Sequence, residues 1–150
     1  TPLALGADLV LYSATKYIGG HSDVIAGSVC GRQAVVDPIS VYRTMLGGVP
    51  DPFSCWLLLR SLETLKLRME AQARNAEAVA RALVAHPAVE RVFYPTLLAP
   101  GSRQHEIFTA QCTGPGAIVS FEVKGGESHT QAMVRNLSTN NAFFKRLCQR

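Results

Sequence analysis

The sequence predicts an α/β protein, because short apolar segments alternate along it with longer segments of helical periodicity. Two nearly continuous apolar runs, residues 7–12 and 24–30, are typical of strands buried on both faces of a parallel sheet. Residues 88–95 and 117–123 alternate between apolar and polar side chains, as strands with one buried face do. We therefore expect two strands in each half of the chain.

Helices are predicted in the segments between and after these strands. Residues 33–46 predict a short helix that an internal proline weakens, and Asp51 with the proline after it predicts the start of the next one. Apolar residues then recur at steps of three and four over residues 62–83, which predicts one long helix able to link two domains. A short helix before the last strand and another over 127–137 complete the pattern.

The composition argues against several classes of function. Charged residues make up 17% and hydrophobic residues 47% of the 150 residues, which is typical of a folded chain. The net charge is +4, but the basic residues from Arg60 to Arg81 alternate with glutamates, as on a solvated helix face. Without a basic stripe and interleaved aromatics, we expect no nucleic-acid partner. With no long apolar run and no signal peptide, we expect no membrane partner.

The cysteines show no spacing that indicates a metal site or a disulfide framework. They are far apart along the chain, and none forms a C-x-x-C pair. We expect no metal, and we expect buried, reduced thiols in a cytoplasmic protein. The four residues are Cys30, Cys55, Cys112 and Cys148.

A single lysine stands out between the first two predicted strands, in the stretch SATKYIGGHSD. Loops at the ends of buried strands are where α/β proteins place their ligands. Lys16 has three explanations there: a solvated charge, a phosphate ligand, or a nucleophile that forms a Schiff base. The glycines follow the lysine instead of preceding it, which excludes a phosphate loop of the Walker type. On spacing alone, a solvated charge is the favoured explanation.

The neighbours of this lysine favour the nucleophile. Ser13 and Thr15 flank a single alanine, so both hydroxyls can point toward one anion. The apolar residues Val10 and Ile18 lie close enough in sequence to keep water from the amine of Lys16. A carbonyl cofactor with a phosphate group requires this combination of an amine and short hydrogen-bond donors.

The stretch GADLVLYSATKYIGGHSDVIAG resembles the lysine motif of the Cys/Met-metabolism enzymes that use pyridoxal 5′-phosphate (PLP). The resemblance continues through residues 51–95 and into QCTGPGAIVSFEVKGG, and covers roughly residues 1–126. It implies the α/β fold of the fold-type-I PLP-dependent transferases. It also implies that Lys16 forms the Schiff base with PLP and later moves protons on the substrate, and that Ser13 and Thr15 bind the phosphate.

The same resemblance implies the reaction and the assembly. The family includes cystathionine γ-synthase, cystathionine γ-lyase, cystathionine β-lyase, methionine γ-lyase and the homoserine sulfhydrylases, so we expect an amino-acid substrate and elimination or replacement at its γ-carbon. Within the family we expect cystathionine γ-synthase or γ-lyase, with methionine γ-lyase or O-acyl-homoserine sulfhydrylase as the alternative. The family is typically a tetramer built of dimers, so the resemblance implies a homotetramer for the full-length protein, and we expect a cytoplasmic location.

The resemblance also implies that these 150 residues are part of a longer enzyme. Residues 1–62 correspond to the end of the large PLP domain, and residues 63–150 to a linking helix and an incomplete C-terminal domain. The family's pyridine-binding Asp and carboxylate-binding Arg have no match here, and the likeness is lost near Phe144. We therefore expect little or no turnover from this segment alone, and exposed apolar surface. The alternative is a non-catalytic remnant that acts as a folded or interacting segment.

The remaining candidate residues are expected to have structural roles. His21 and Asp23 resemble a catalytic pair but fall in the turn after the lysine. His105 and His129 lie on predicted surface segments and are expected to have no partners. Trp56 is expected in the core or in a subunit interface, and not stacked on a cofactor.

Overall fold

The computed structural model describes residues 1–140, and for residues 137–140 it describes the backbone alone. The chain divides into two compact units, Thr1–Ala71 and Gln72–Arg150. The division falls inside the third helix, about two turns beyond the position 62/63 at which the sequence predicts a domain boundary. The assignment of the two parts to a large and a small PLP domain stays a prediction.

The strands of the first unit, β1 (Leu9–Ser13) and β2 (Gly27–Gly31), form a two-stranded antiparallel pair. The expectation of parallel strands buried on both faces is wrong for the described chain, where Leu11 of β1 is 75% exposed. A parallel pair requires a crossover connection, usually a helix, between its strands. Here the 13 residues 14–26 form a compact turn that returns the chain antiparallel, and no further strand of the described residues covers the pair.

Two helices follow in this unit, α1 (Gln33–Leu46) and α2 (Pro52–Leu62). α1 has the predicted bounds and tolerates Pro38 in its second turn. α2 begins where the sequence predicts, because the carboxylate of Asp51 accepts the backbone N–H groups of Phe53 and Ser54 at 3.0 and 3.1 Å. A side chain at the N-cap therefore starts this helix.

The long helix predicted from residue 62 onward is α3 (Leu65–Val84), which begins three residues later than predicted, after a break at residues 63 and 64. At the break, the carbonyl oxygen of Ser61 accepts hydrogen bonds from the Thr64 hydroxyl at 3.4 Å and from the Arg68 guanidinium at 2.9 Å. In an uninterrupted helix this carbonyl would accept a backbone N–H four residues later. Here side chains donate to it instead. The apolar periodicity continues across the break, which is why the sequence does not show it.

The second unit contains β3 (Val89–Phe93) and β4 (Ser120–Val123), which pair antiparallel with a register shift near the start of β3. Between them lies α4 (Arg103–Gln111), and α5 (Gly126–Asn140) follows the sheet. Every strand and helix predicted within residues 1–140 is formed, with strand ends shifted by up to three residues.

A small apolar core organises this second unit. Tyr94, which follows β3, is 3% exposed and packs with two alanines of α3. Its hydroxyl lies 2.9 Å from the carbonyl oxygen of Gly116 and 3.3 Å from that of Ala73. The two alanines are Ala76 and Ala80, and the partly buried residues packed around them are Val92, Ala117 and Val119.

The expectation of buried thiols is wrong for the three cysteines that the structure describes. Cys30, Cys55 and Cys112 are free and exposed, since each lies on a face that no element of the described chain covers. Cys148 and the position near Phe144 where the likeness is lost lie outside the described residues. Within residues 1–140, no helix is both long enough and apolar enough to cross a membrane.

Candidate functional site

Lys16 lies on a tight turn that connects β1 to the segment before β2. Residues 14–18 form a single π-helical turn, which is kinked at Lys16 because its φ of −82° and ψ of −112° are not helical. The backbone N–H of Gly19 donates to the carbonyl of Ala14 at 2.7 Å, and that of Gly20 to the carbonyl of Lys16 at 2.7 Å. We call residues 14–20 the lysine turn.

The amino-terminal side of the lysine turn is joined to the chain before β2 by Thr15. Its backbone N–H donates to the carbonyl of Ala26 at 3.1 Å. Its hydroxyl accepts the N–H of Ala26 at 2.9 Å and lies 3.2 Å from the carbonyl of Ala26, to which it donates. A hydroxyl has one proton, so Thr15 gives up the bond to Ala26 if it donates to a phosphate.

Two of the three groups that the sequence predicts to bind or to react, those of Ser13 and Lys16, make no hydrogen bond within the described chain. Ser13 is exposed at the N-cap position, and its hydroxyl makes no hydrogen bond within the described chain. The side chain of Lys16 is exposed as well, although the sequence suggests that Val10 and Ile18 shield it. The shielding residues are themselves only half-buried, because the pair β1–β2 has one uncovered face.

The carboxyl-terminal side of the lysine turn is held by Arg68 of α3. Its guanidinium nitrogens donate to the carbonyls of Tyr17 at 2.8 Å, Ile18 at 3.2 Å and Ser61 at 2.9 Å. Its Nε donates to the hydroxyl of Thr64 at 3.2 Å. One half-buried arginine therefore connects the lysine turn to the break between α2 and α3.

A glycine is favoured at each of the two positions 19 and 20, for a different physical reason at each. Gly20 has a φ of +78°, and a Cβ built there would overlap the guanidinium of Arg68. A Cβ at Gly19 would lie 2.7 Å from Cγ1 of Val24 and 3.0 Å from the carbonyl oxygen of Ala14. A side chain at either position would move the turn or the arginine.

The histidines are structural where the structure describes their contacts. His21 Nδ1 lies 2.8 Å from the carbonyl of Gly19, which agrees with its predicted role in the turn, while Asp23 is exposed. The expectation that His129 has no partner is wrong, because its Nδ1 lies 2.9 Å from the carbonyl of Gly125, one helical turn before it. His105 lies half-buried on α4.

Trp56 is not part of a core within the described chain. It is 53% exposed on α2, with its ring 5.8 Å from that of Phe53 and the guanidinium of Arg60 5.7 Å from its centroid. The sequence places this tryptophan in the core because its neighbours are leucines, but the helix has no partner on that face in residues 1–140. Its expected place in a subunit interface stays a prediction.

A cavity of about 370 Å³ opens between the segment that follows the lysine turn and the carboxyl-terminal part of α2. None of Ser13, Thr15 and Lys16 lines it. The described residues contain no group of three His, Cys, Asp or Glu side chains arranged to hold a metal ion. The lining residues are His21, Asp23, Leu57, Arg60, Ser61, Glu63 and Thr64.

Sequence reasoning missed Arg68. The sequence places it among the basic residues of a solvated helix face, because glutamates surround it along α3. Its half-buried position and its contacts with Tyr17 and Ile18, 51 and 50 residues away, contradict that interpretation for this residue. No local pattern signals such a contact, since it depends on the packing of α3 against the turn.

The fold and the turn define an α/β protein that presents an exposed lysine beside hydroxyl side chains at the end of a strand. The family model described as "Cys/Met metabolism PLP-dependent enzyme" matches residues 1–143. The chain therefore belongs to the Cys/Met-metabolism family of PLP-dependent enzymes.

Two curated relatives show how much of such a protein the chain covers. It is 45% identical over 134 residues to a probable cystathionine gamma-synthase of Herpetosiphon aurantiacus, covering 89% of this chain and 41% of that protein. It is 47% identical over 137 residues to the cystathionine gamma-lyase of Rattus norvegicus, covering 91% of this chain and 34% of that protein. The chain thus spans between a third and two fifths of the length of these relatives.

Two solved structures show the same fold and the same partial coverage. A cystathionine gamma-lyase from Lactobacillus plantarum, complexed with L-serine, superposes with a TM-score of 0.76 at 41% identity, covering 83% of this chain and 32% of that one. The apo form of a methionine gamma lyase from Micromonospora echinospora gives the same TM-score at 44% identity, covering 83% and 34%. The predicted fold class, a partial fold-type-I PLP-dependent enzyme, is confirmed.

Proposed function

We propose that this chain carries the cofactor-attachment turn of an enzyme that eliminates or replaces the γ-substituent of a cystathionine- or homoserine-like amino acid. Lys16 is the covalent attachment residue, and Ser13 and Thr15 hold the cofactor phosphate. The observation that carries the proposal is the geometry of the turn. The amine of Lys16 and the hydroxyl of Ser13 are exposed and free of partners in the described chain, on a backbone held on both sides.

The donor set of the turn fits a phosphorylated carbonyl cofactor. Ser13 can give its hydroxyl proton to a phosphate at once, and Thr15 can do so by exchanging its bond to the carbonyl of Ala26. PLP, when bound, supplies a ring that accepts the electron pair left on the substrate carbon. Lys16 then has two tasks: its amine holds the cofactor before substrate arrives, and once released it moves a proton between the α- and β-carbons of the substrate.

Labelling with the cofactor tests the attachment. We expect PLP followed by borohydride reduction to label the chain at Lys16 with one equivalent, located by mass spectrometry of the peptide. Lys16→Ala should lose the label, while Lys66→Ala, which removes an exposed lysine of α3, should retain it. Equal labelling of several lysines, or a label that survives Lys16→Ala, would contradict the proposal. That result would support the alternative of a non-catalytic segment.

We further propose that turnover requires chain beyond these residues, and that the chain assembles with other copies as in a homotetramer. The exposed apolar side chains of the first unit support assembly, with Ile25 92% and Leu46 82% exposed. Sedimentation of the full chain tests this proposal, because a stable monomer at micromolar concentration would contradict it. The free thiols of the described cysteines support a reducing, cytoplasmic location.

A further inference from the structure

Arg68 makes more hydrogen bonds to other parts of the chain than a surface arginine of a helix does. Four of its hydrogen bonds converge on two places, the carbonyls of Tyr17 and Ile18 and the break formed by Ser61 and Thr64. A guanidinium is a planar fork whose donors have fixed directions, so several bonds made together fix the position of their acceptors. Both turn carbonyls belong to the residues that directly follow Lys16.

The lysine turn has few other restraints on this side. Before Lys16, Thr15 binds Ala26. After Lys16, the two glycines make backbone hydrogen bonds within the turn, and the carbonyl of Gly19 also lies 2.8 Å from His21 Nδ1. Glycine contributes no side-chain packing and permits many backbone conformations. Arg68 is therefore the side chain that restrains this side of the turn from another helix.

We propose that Arg68 is a positioning residue for Lys16: it holds the lysine turn in the conformation in which the amine attaches the cofactor. The inference rests on the proposed function of Lys16, and it assigns to α3 a role in the site, although α3 lies outside the lysine motif of residues 6–27. Arg68 acts through the backbone carbonyls of the turn and touches neither cofactor nor substrate.

Gly20 gives the proposal an independent structural basis. Its missing Cβ leaves the space that the guanidinium of Arg68 occupies. Gly47, at the end of α1, has a similar φ of +74° against +78°, but nothing lies within 4 Å of a Cβ built there. Replacing either glycine by alanine imposes similar backbone strain, and only Gly20→Ala displaces the arginine.

The first experiment needs no cofactor and measures amide hydrogen exchange of the full chain. We expect Arg68→Ala and Gly20→Ala to speed exchange at Gly19 and Gly20 by roughly tenfold or more, because the turn opens locally. Arg74→Ala, at an exposed arginine of the same helix, and Gly47→Ala should leave these two amides unchanged. Unchanged exchange in Arg68→Ala would overturn the proposal.

The second experiment measures the rate at which PLP attaches to Lys16, with samples reduced by borohydride at successive times and Lys66 as an internal reference. We expect Arg68→Ala to slow attachment at Lys16 by roughly 10- to 100-fold, the loss typical of a misplacement of about 1 Å. Arg68→Lys should restore only part of the rate, because one ammonium cannot span the turn carbonyls and Ser61 together. A wild-type rate in Arg68→Ala would overturn the proposal.

Thr64→Val separates positioning from a purely structural role at the helix break. It removes the bond to Arg68 Nε and leaves both bonds to the turn. We expect its attachment rate to equal the wild type, whereas a loss as large as in Arg68→Ala would assign the effect to the break. Absence of any label at Lys16 in the wild type would overturn the proposed function itself, and the exchange experiment would then decide whether Arg68 holds the turn.

Discussion

Each of the two units of the chain is stabilised internally by a different kind of interaction. In Thr1–Ala71 the best-restrained segment is the lysine turn, which hydrogen bonds fix through Thr15 and Arg68. In the second unit the best-restrained residue is Tyr94, which apolar side chains surround. Most of the large apolar side chains exposed within the described residues belong to the first unit.

This difference shows how an exposed turn is kept in place with little buried apolar surface, since Ala14 and Val24 are the buried apolar residues of the first unit within the described chain. Buried apolar surface stabilises the second unit by roughly 25 cal/mol per Å² removed from water, and the contacts have no required direction. In the lysine turn the side chain of Lys16 is exposed, and directional hydrogen bonds to the backbone restrain the turn. The following substitutions test whether removing one kind of interaction destabilises only the unit in which it occurs.

The largest effect on stability is expected in the second unit from Tyr94→Ala. Removing a nearly fully buried aromatic ring leaves a cavity among the alanines of α3, and we expect the free energy of unfolding to fall by about 3 kcal/mol. Hydrogen exchange should show this loss in β3 and β4. Protection in the lysine turn should persist, and its simultaneous loss would show that the first unit relies on the core of the second.

Thr15→Val should have the next largest effect, confined to the first unit. Valine keeps the shape of threonine but leaves the N–H and the carbonyl of Ala26 without the hydroxyl, at a cost of about 1.5 kcal/mol. Thr15→Ser, which retains the hydroxyl, is the matched control. Faster exchange at Ala26 in the valine variant alone would support the comparison, and equal exchange in both variants would count against it.

Tyr94→Phe should cost about 1 kcal/mol, because it removes the hydroxyl that lies 2.9 Å from the carbonyl of Gly116 and keeps the ring. The pKa of Tyr94 is raised, first by burial and then by the charge of Glu77. The wild type should therefore lose stability as the pH rises from about 10, the pKa in the unfolded chain, through the higher pKa of the folded chain.

Tyr94→Phe should not show this alkaline loss. Denaturant unfolding at several alkaline pH values compares the two proteins. If the free energy of unfolding falls equally with pH in the wild type and in Tyr94→Phe, the ionisation of Tyr94 does not cause the alkaline loss of stability.

The smallest effect is expected at the N-cap of α2, in the first unit. The hydroxyl of Ser54 lowers the pKa of Asp51 most, followed by the backbone N–H groups of Ser54 and Phe53. Stabilisation by the charged cap is therefore complete above about pH 4, where Asp51 is ionised even in the unfolded chain. It is lost as the pH falls through the lower pKa of the folded chain.

Asp51→Asn retains a capping side chain that does not titrate. Its difference in unfolding free energy from the wild type should be constant between about pH 5 and pH 7 and shrink below about pH 4. Thermal unfolding monitored by circular dichroism at these pH values measures that difference. A constant difference throughout would show that the charge of Asp51 contributes nothing to the helix.

Local sequence signals were sufficient to predict the helices and strands and to predict the family. Asp51 and the proline after it predict the start of α2, and α1 has the predicted bounds, because capping and periodicity depend on residues a few positions apart. The likeness of the stretch around Lys16 is confirmed by the family match over residues 1–143. The roles of Ser13, Thr15 and Lys16 toward the cofactor stay predictions that the labelling experiment tests.

By itself, the sequence determined which residues form strands and helices, which turn carries the lysine, and to which family the chain belongs. The tertiary structure alone decided that β1 and β2 pair antiparallel and that Arg68 binds the lysine turn. The physical reason is distance along the chain. Capping, turns and periodicity act between neighbours, whereas the carbonyls of Tyr17 and Ile18 meet an arginine some 50 residues away only after the helices have packed.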